Sequence, residues 1–508
     1  MSEVLQWAVA SKPAAEALVG VIGAGVMGAG IAQVAAQAGH PVRLMDVREG
    51  AAAAAHAQIA KALEGLVVKG RMDATEREAV LARIHPVSAM ADLAGAALVV
   101  EVIIEKLEPK QALLRELDAL LPPDALIASN TSSISITALA NGLQRPGRLV
   151  GMHFFNPVPL MKLVEVVSGA ETQASVADAI YELSRRWGKS PVHAKSTPGF
   201  IVNRIARPYY AETLALLLEQ AGTPAQLDRA LRSVGFRMGP CELMDLIGHD
   251  TNFLVTQSVF EANFGDKRYM PSLVQKALVD GGRLGRKVGK GFYEGVPAAP
   301  APVERQGAED LPTVQLLGEG LLVDGLAQAL QAAGVAFQRQ AQAVWAGLAL
   351  GELQLRLSDG RCAAELAQQA AHAELAVIDW PVQGPRTEAL ALAFAPRCSE
   401  SGRAQALQLF AALGWAPLVL RDAPGLVVAR TLAMLVNEGA DTVWQGVCDE
   451  AAADQAMKLG VNYPAGPFEW LAQLSVARVV QTLDALFEAC RNERYRVSPL
   501  LRHRLWAD

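Results

Sequence analysis

The chain is poor in cysteine, has no run of basic residues and carries no long apolar segment, and each shortage excludes a class of function. Five cysteines among 508 residues (Cys241, Cys362, Cys398, Cys448 and Cys490) stand far apart, without the close spacing of a zinc site or a disulfide framework. An odd count without a signal-peptide pattern reads as reduced thiols, so a cytoplasmic location is expected. None of the eight histidines has a partner at ligand spacing, and no metal is expected. A net charge of -6 offers no basic face to neutralise phosphates, which argues against a nucleic-acid partner. The longest largely apolar stretch, residues 93–104, falls far short of the roughly 20 residues a bilayer crossing requires. No membrane partner is therefore expected. Residues 1–17, with Glu3, Lys12, Pro13 and Glu16 among alanines, lack the order of a targeting peptide and read as a loose tail.

What is present is hydrophobic mass, 51% of residues, on a chain long enough for two to four domains. A short apolar run at residues 18–22 leads at once into Gly23-Ala-Gly-Val-Met-Gly28 and then a helical pattern. Gly23 allows the tight turn, Gly25 lets the backbone approach a pyrophosphate, and Gly28 lets helix and strand pack closely. Asp46 ends the next strand, 18 residues beyond Gly28, where it can accept hydrogen bonds from ribose hydroxyls and repel a 2′-phosphate. The pattern predicts an NAD-binding Rossmann domain. Further buried strands are expected near residues 84–88, 97–104 and 125–128, the last running into Ser129-Asn-Thr-Ser-Ser133. The carboxyl edge of such a sheet is where ligands sit, and the same cluster can cap a helix.

Residues 151–167 hold His153 at the end of one strand-like run and Glu165 inside a second, with Asn156, Pro157 and Pro159 forcing a bent crossing between them. A carboxylate beside an imidazole fixes its tautomer and stabilises the imidazolium, which a proton-abstracting base requires. Beyond Thr197-Pro-Gly199 the pattern turns helical as far as Tyr293, and a Pro- and Ala-rich linker follows.

The second half repeats the first in outline. Gly318 and Gly320 stand for Gly23 and Gly25, but Val323 replaces Gly28; Ala423-Pro-Gly-Leu-Val-Val-Ala-Arg430 matches Thr197-Pro-Gly-Phe-Ile-Val-Asn-Arg204, and Gly466-Pro-Phe-Glu469 matches Gly239-Pro-Cys-Glu242. The offset falls from 295 residues at the glycines to 226 at the Pro-Gly motif, so the second copy is trimmed within its α/β part. That offset puts Ala429 opposite Asn203, Ala391 opposite Glu165 and Asp379 opposite His153. The expected division is a tail (1–17), a Rossmann domain (18–197), a helical domain (198–294), a linker (295–311), a degenerate Rossmann-like domain (312–420) and a second helical domain (421–508). The two helical domains should pack on each other as an internal pseudo-dimer.

Together, the glycine loop with Asp46, Asn130-Thr-Ser-Ser133, His153-Phe-Phe-Asn-Pro157 with Met161-Lys-Leu-Val-Glu165, and Thr197-Pro-Gly-Phe-Ile-Val-Asn-Arg204 resemble the L-3-hydroxyacyl-CoA dehydrogenases, closely over residues 18–293. The remainder resembles long bacterial members with an extra half. The resemblance implies His153 as catalytic base, Glu165 as its orienting partner, and Ser132 and Asn203 as holders of the substrate oxygen. It further implies Glu105, Lys110 and Lys287 as NAD contacts and Lys69 as a contact of the CoA moiety. The implied reaction is reversible oxidation of an (S)-3-hydroxyacyl-CoA, either 3-hydroxybutyryl-CoA or the dicarboxylic 3-hydroxyadipyl-CoA of aromatic-acid (phenylacetate) degradation, with fatty acid metabolism as the wider setting. Two other readings stay open: a β-hydroxyacid dehydrogenase, a class that resembles this one but uses a lysine, and a non-catalytic NAD-binding protein of the same fold.

Overall fold

The computed structural model describes residues 17–298, 301, 303–307 and 311–507. The expected tail, apart from Ala17, and six positions of the expected linker lie outside the described residues. The described residues divide into two compact units, those up to 204 with 446–461, and those of 205–445 with those from 462 onward.

In the first unit, eight strands form one sheet among the described residues: β1 (Val19–Ile22), β2 (Val42–Met45), β3 (Ile84–Val87), β4 (Leu98–Glu101), β5 (Leu126–Ser129), β6 (Leu149–Phe154), β7 (Leu163–Ser168) and β8 (Ser190–Lys195). Their spatial order is β3-β2-β1-β4-β5-β6-β7-β8. All neighbours pair in parallel except β6 and β7. The central strands β1, β4 and β5 are buried along their whole length, as a sheet covered on both faces demands. The order reverses between β1 and β4, which opens a crevice at their carboxyl ends. Beside it the turn after β1 admits only glycine: Gly23 sits at φ +109°, and a Cβ on Gly28 would lie 1.7 Å from the Gly23 carbonyl oxygen.

One expected strand ends early. The run 97–104 stops being a strand at Glu101, which is fully buried and ties its carboxylate to Lys110 and Ser129. The 446–461 segment, expected within the second helical domain, belongs to the first unit, where the Glu450–Gly460 helix packs on β7 and β8.

In the second unit, seven strands form a smaller sheet among the described residues: β9 (Val314–Leu317), β10 (Phe337–Gln340), β11 (Gly347–Leu350), β12 (Leu353–Leu357), β13 (Leu375–Ile378), β14 (Ala389–Phe394) and β15 (Ala416–Val419), in the order β10-β9-β11-β12-β13-β14-β15. The trimming is visible here. The β11–β12 hairpin leaves β11 antiparallel to β9, whereas β4 runs parallel to β1 in the full-length copy.

The helices of this unit come from both copies. The Arg207–Leu218 helix packs against Val428–Trp444, and buried polar pairs to each of these helices repeat at the 226-residue offset. Tyr269 donates its hydroxyl to Glu438 (2.6 Å) and Tyr495 donates to Glu212 (3.0 Å), while Arg268 lies 3.5 Å from Glu438 and Arg494 3.6 Å from Glu212. Each member of the first pair is 226 residues from its counterpart in the second. Among the described residues no helix is long and apolar enough to cross a membrane, and no group of His, Cys, Asp and Glu is arranged to hold a metal.

Candidate active site

His153 is the penultimate residue of β6 and Glu165 lies in β7, and the antiparallel register sets them directly opposite each other. Paired positions on one sheet face bring side chains within contact distance. His153 Nδ1 lies 2.5 Å from Glu165 Oε2, with the glutamate fully buried and the histidine 5% exposed. A carboxylate accepts only, so Nδ1 carries the proton and Nε2 is left with its lone pair. The other oxygen, Oε1, accepts from the backbone amides of Ile201 (3.0 Å) and Val202 (2.9 Å), at the start of the Val202–Ile205 helix. Glu165 thus orients the imidazole and is itself held by two amides. The rings of Phe155 (4.5 Å) and Phe200 (5.9 Å) pack on the imidazole.

The loop after β5 supplies the next group. Asn130 Oδ1 accepts from the Phe154 amide (2.8 Å), pinning β6 beside that loop. Glu105 Oε1 accepts from the Thr131 hydroxyl, the Ser132 and Ser133 amides and the Ser133 hydroxyl, at 2.7 to 3.1 Å. Burial opposes the charge of Glu105, but Lys110 and these donors outweigh it and hold the carboxyl below its ordinary range. Asn203, on the helix whose amides cap Glu165, donates to the Ser132 carbonyl at 3.5 Å. Ser132 and Asn203 are therefore neighbours, and both are partly exposed.

The remaining expected residues are distributed as follows. Lys110 is 1% exposed, bound to Glu101 at 2.5 Å and lying 3.4 Å from Glu105, so it stands beneath the loop rather than on its surface. Lys69 is exposed at the end of the Ala51–Val68 helix. Lys287 belongs to the second unit, where it pairs with both oxygens of Asp250 at 2.6 Å. Glu101, which anchors Lys110, was not anticipated; an acid closing an apolar run is the signal that could have found it.

The glycine loop suits a dinucleotide. A Cβ on Gly25 would meet nothing within 4 Å, so the backbone there is open to a phosphate at the head of the Val26–Gln37 helix. Asp46 Oδ2 accepts from the Ala24 amide (2.8 Å), tying the acid to the loop. The Arg48 guanidinium bonded to Asp46 lowers its carboxyl to about 2.

The second copy has lost this chemistry. Asp379 occupies the position of His153 and Ala391 that of Glu165, and the Asp379 carboxylate accepts from the amides of Val427, Val428 and Ala429 at 2.7 to 2.9 Å. It does for its own helix what Glu165 does in the first copy, with no imidazole present. Complete burial raises its carboxyl to about 6 despite those amides.

Comparison with known proteins agrees with this layout. The model for the NAD-binding domain of 3-hydroxyacyl-CoA dehydrogenase matches residues 18–197, that for its C-terminal domain matches 199–295 and again 425–508, and that for the reduced Rossmann-fold domain of 3-hydroxybutyryl-CoA dehydrogenase matches 355–424. The 3-hydroxyadipyl-CoA dehydrogenase of Escherichia coli (strain K12) is 42% identical over 96% of this chain and 97% of its own length. A probable 3-hydroxybutyryl-CoA dehydrogenase of Deinococcus radiodurans is 42% identical over 54% of this chain and 99% of its own. The crystal structure of 3-hydroxybutyryl-CoA dehydrogenase from Escherichia coli K12 superposes with a TM-score of 0.88 at 41% identity, covering 97% of this chain and 98% of that one.

Proposed function

The chain belongs to the 3-hydroxyacyl-CoA dehydrogenase family of NAD-dependent enzymes, and on that premise we propose that it interconverts an (S)-3-hydroxyacyl-CoA and the 3-oxoacyl-CoA, with His153 as base and Glu165 as its partner. The observation that carries this reading is the buried 2.5 Å contact between Nδ1 and the Glu165 carboxylate, which leaves Nε2 able to accept a proton. His153 Nε2 takes the proton of the 3-hydroxyl, and Glu165 stabilises the imidazolium that forms. Ser132 and Asn203 hold the same oxygen as it becomes a carbonyl. When bound, NAD supplies the acceptor for the hydride that leaves C3. In the reverse direction the imidazolium returns its proton to the oxygen.

Gly23, Gly25, Gly28 and Asp46 would hold the dinucleotide, with Glu105 and Lys287 as further NAD contacts and Lys110 acting through Glu105. Lys69 is the proposed contact for the CoA portion. The acyl group is 3-hydroxyadipyl or 3-hydroxybutyryl, since relatives covering nearly the full chain carry one name or the other. The reciprocal Tyr269–Glu438 and Tyr495–Glu212 bonds support an internal pseudo-dimer of helical domains with one active site per chain. All five cysteines are free, which supports a cytoplasmic setting. The test is NADH-dependent reduction of acetoacetyl-CoA followed by NADH absorbance. Turnover well above the rate without enzyme is expected; NADH binding without turnover would assign the chain to a non-catalytic role.

A further inference from the structure

Within the first unit, the last turn of the Glu450–Gly460 helix stands against the supports of the catalytic pair. Gly460 is buried, and a Cβ built on it would lie 2.7 Å from Leu163 Cδ2, 3.0 Å from Val202 Cγ2 and 3.6 Å from Phe155 Cε1. Each of these three residues bears on the pair. Leu163 opens β7, two positions before Glu165; the Val202 amide donates to Glu165 Oε1 at 2.9 Å; and the Phe155 ring packs on the imidazole at 4.5 Å. The turn that leads into the helix is close as well: burial first, then the Asp449 and Glu165 carboxylates, push the Cys448 thiol up to about 12.

Packing, and not backbone conformation, accounts for a glycine at 460. Its φ is not positive, so any residue could adopt it, and alanine would favour the helix more. A side chain there meets Leu163, which is fully buried, and Val202, which is 1% exposed. Val202 is β-branched and opens the Val202–Ile205 helix, so its rotamer is fixed and relief comes by shifting its backbone, together with the amide that holds Glu165.

The exchange of segments is built into both copies. In the first unit the Lys195 amide donates to the Val447 carbonyl at 2.9 Å, and in the second the Arg421 amide donates to the Ala221 carbonyl at 2.9 Å, donors and acceptors each 226 residues apart. In each unit, then, a sheet built by one copy is joined at its edge to a segment of the other. Only in the first unit does that sheet carry a histidine and glutamate pair, since Asp379 stands where His153 would be in the second.

We propose that Gly460, supplied by the second copy, is a positioning residue of the first copy's catalytic pair, its bare backbone letting Phe155 and Val202 close on His153 and Glu165. The second half thereby completes the site of the first. This rests on the 3-hydroxyacyl-CoA dehydrogenase reading above. The test measures kcat and KM with acetoacetyl-CoA and NADH, beside thermal unfolding, for wild type, Gly460→Ala, Gly460→Val, Leu163→Ala and the Gly460→Val/Leu163→Ala double variant. Gly460→Val should lose about a hundredfold in kcat, the effect of displacing a catalytic group by about 1 Å, with KM for NADH within about threefold of wild type. Gly460→Ala should lose about three- to tenfold. The double variant, which returns about the volume that valine adds, should recover at least about tenfold in kcat over Gly460→Val. A folded Gly460→Val enzyme with kcat within threefold of wild type overturns the proposal, as does a loss confined to KM or one that Leu163→Ala does not relieve. If Gly460→Val fails to fold, Gly460→Ala decides, and an unchanged kcat there overturns the proposal. An inactive wild type would overturn the dehydrogenase reading and this proposal with it, whereas an active wild type with indifferent variants overturns this proposal alone.

Discussion

Replacing Glu165 by glutamine separates two functions that the carboxylate performs at once. The amide oxygen can still accept from Ile201 and Val202, which lie 3.0 and 2.9 Å from Oε1. The amide nitrogen would then face His153 Nδ1 at the 2.5 Å contact. Two donors cannot share that space, so the imidazole must move its proton to Nε2, which can no longer accept one from the substrate. The same tautomer trap in serine-protease triads lowers turnover about ten-thousandfold, and a loss of about a thousand- to ten-thousandfold in kcat is expected here. NADH affinity should stay within about threefold and stability should fall little, because the capping bonds survive. Glu165→Ala gives the contrast: it also leaves the two amides without their acceptor, at about 1–3 kcal/mol each. Steady-state rates with acetoacetyl-CoA and NADH, read beside thermal unfolding of both variants, test the argument. If the glutamine enzyme keeps turnover within tenfold of wild type, or loses only in KM, Glu165 does not govern the tautomer of His153.

Asp46→Ala should weaken NAD and improve NADP relative to it, because Arg48 loses its partner and becomes available to a 2′-phosphate; an unchanged ratio of kcat/KM values for the two cofactors refutes the assignment. Since the Asp46 carboxyl titrates at about 2, it stays ionised across neutral pH, and the wild-type cofactor ratio should be flat there; a ratio that drifts with pH contradicts this. Equilibrium titration should find one NADH per chain, since the second copy carries Val323, Ala391 and Asp379 where the first has Gly28, Glu165 and His153; two sites would contradict it. A chain ending at Gly295 should dimerise or aggregate, because it loses the Glu438 and Tyr495 partners of Tyr269 and Glu212. A well-behaved monomer in sedimentation would refute the internal pseudo-dimer.

The features legible in the sequence were those whose geometry is local. The glycine loop and its acid follow from spacing along one strand, turn and helix, and the His153–Glu165 pair follows from two short strands joined by a proline-rich crossing. What escaped depends on contacts between distant segments. Residues 97–104 mark the place with an acid, but why the strand stops at Glu101 is not written there, because the reason is Lys110 and Ser129 closing on its carboxylate. The offset between the copies located Asp379, but its task of capping amides some fifty residues away appears only when β13 and the Val428–Trp444 helix meet. Likewise the 446–461 segment joins the first unit through the backbone bond from the Lys195 amide to Val447 and the packing of its helix on β7 and β8, which no periodicity records.

The most direct test of the central claim is turnover of His153→Ala beside its affinity for NADH. Loss of a positioned base lowers rate by about two to four orders of magnitude, and NADH binding should remain near wild type, because the glycine loop and Asp46 are untouched. An enzyme that still reduces acetoacetyl-CoA at close to the wild-type rate would remove His153 from the mechanism.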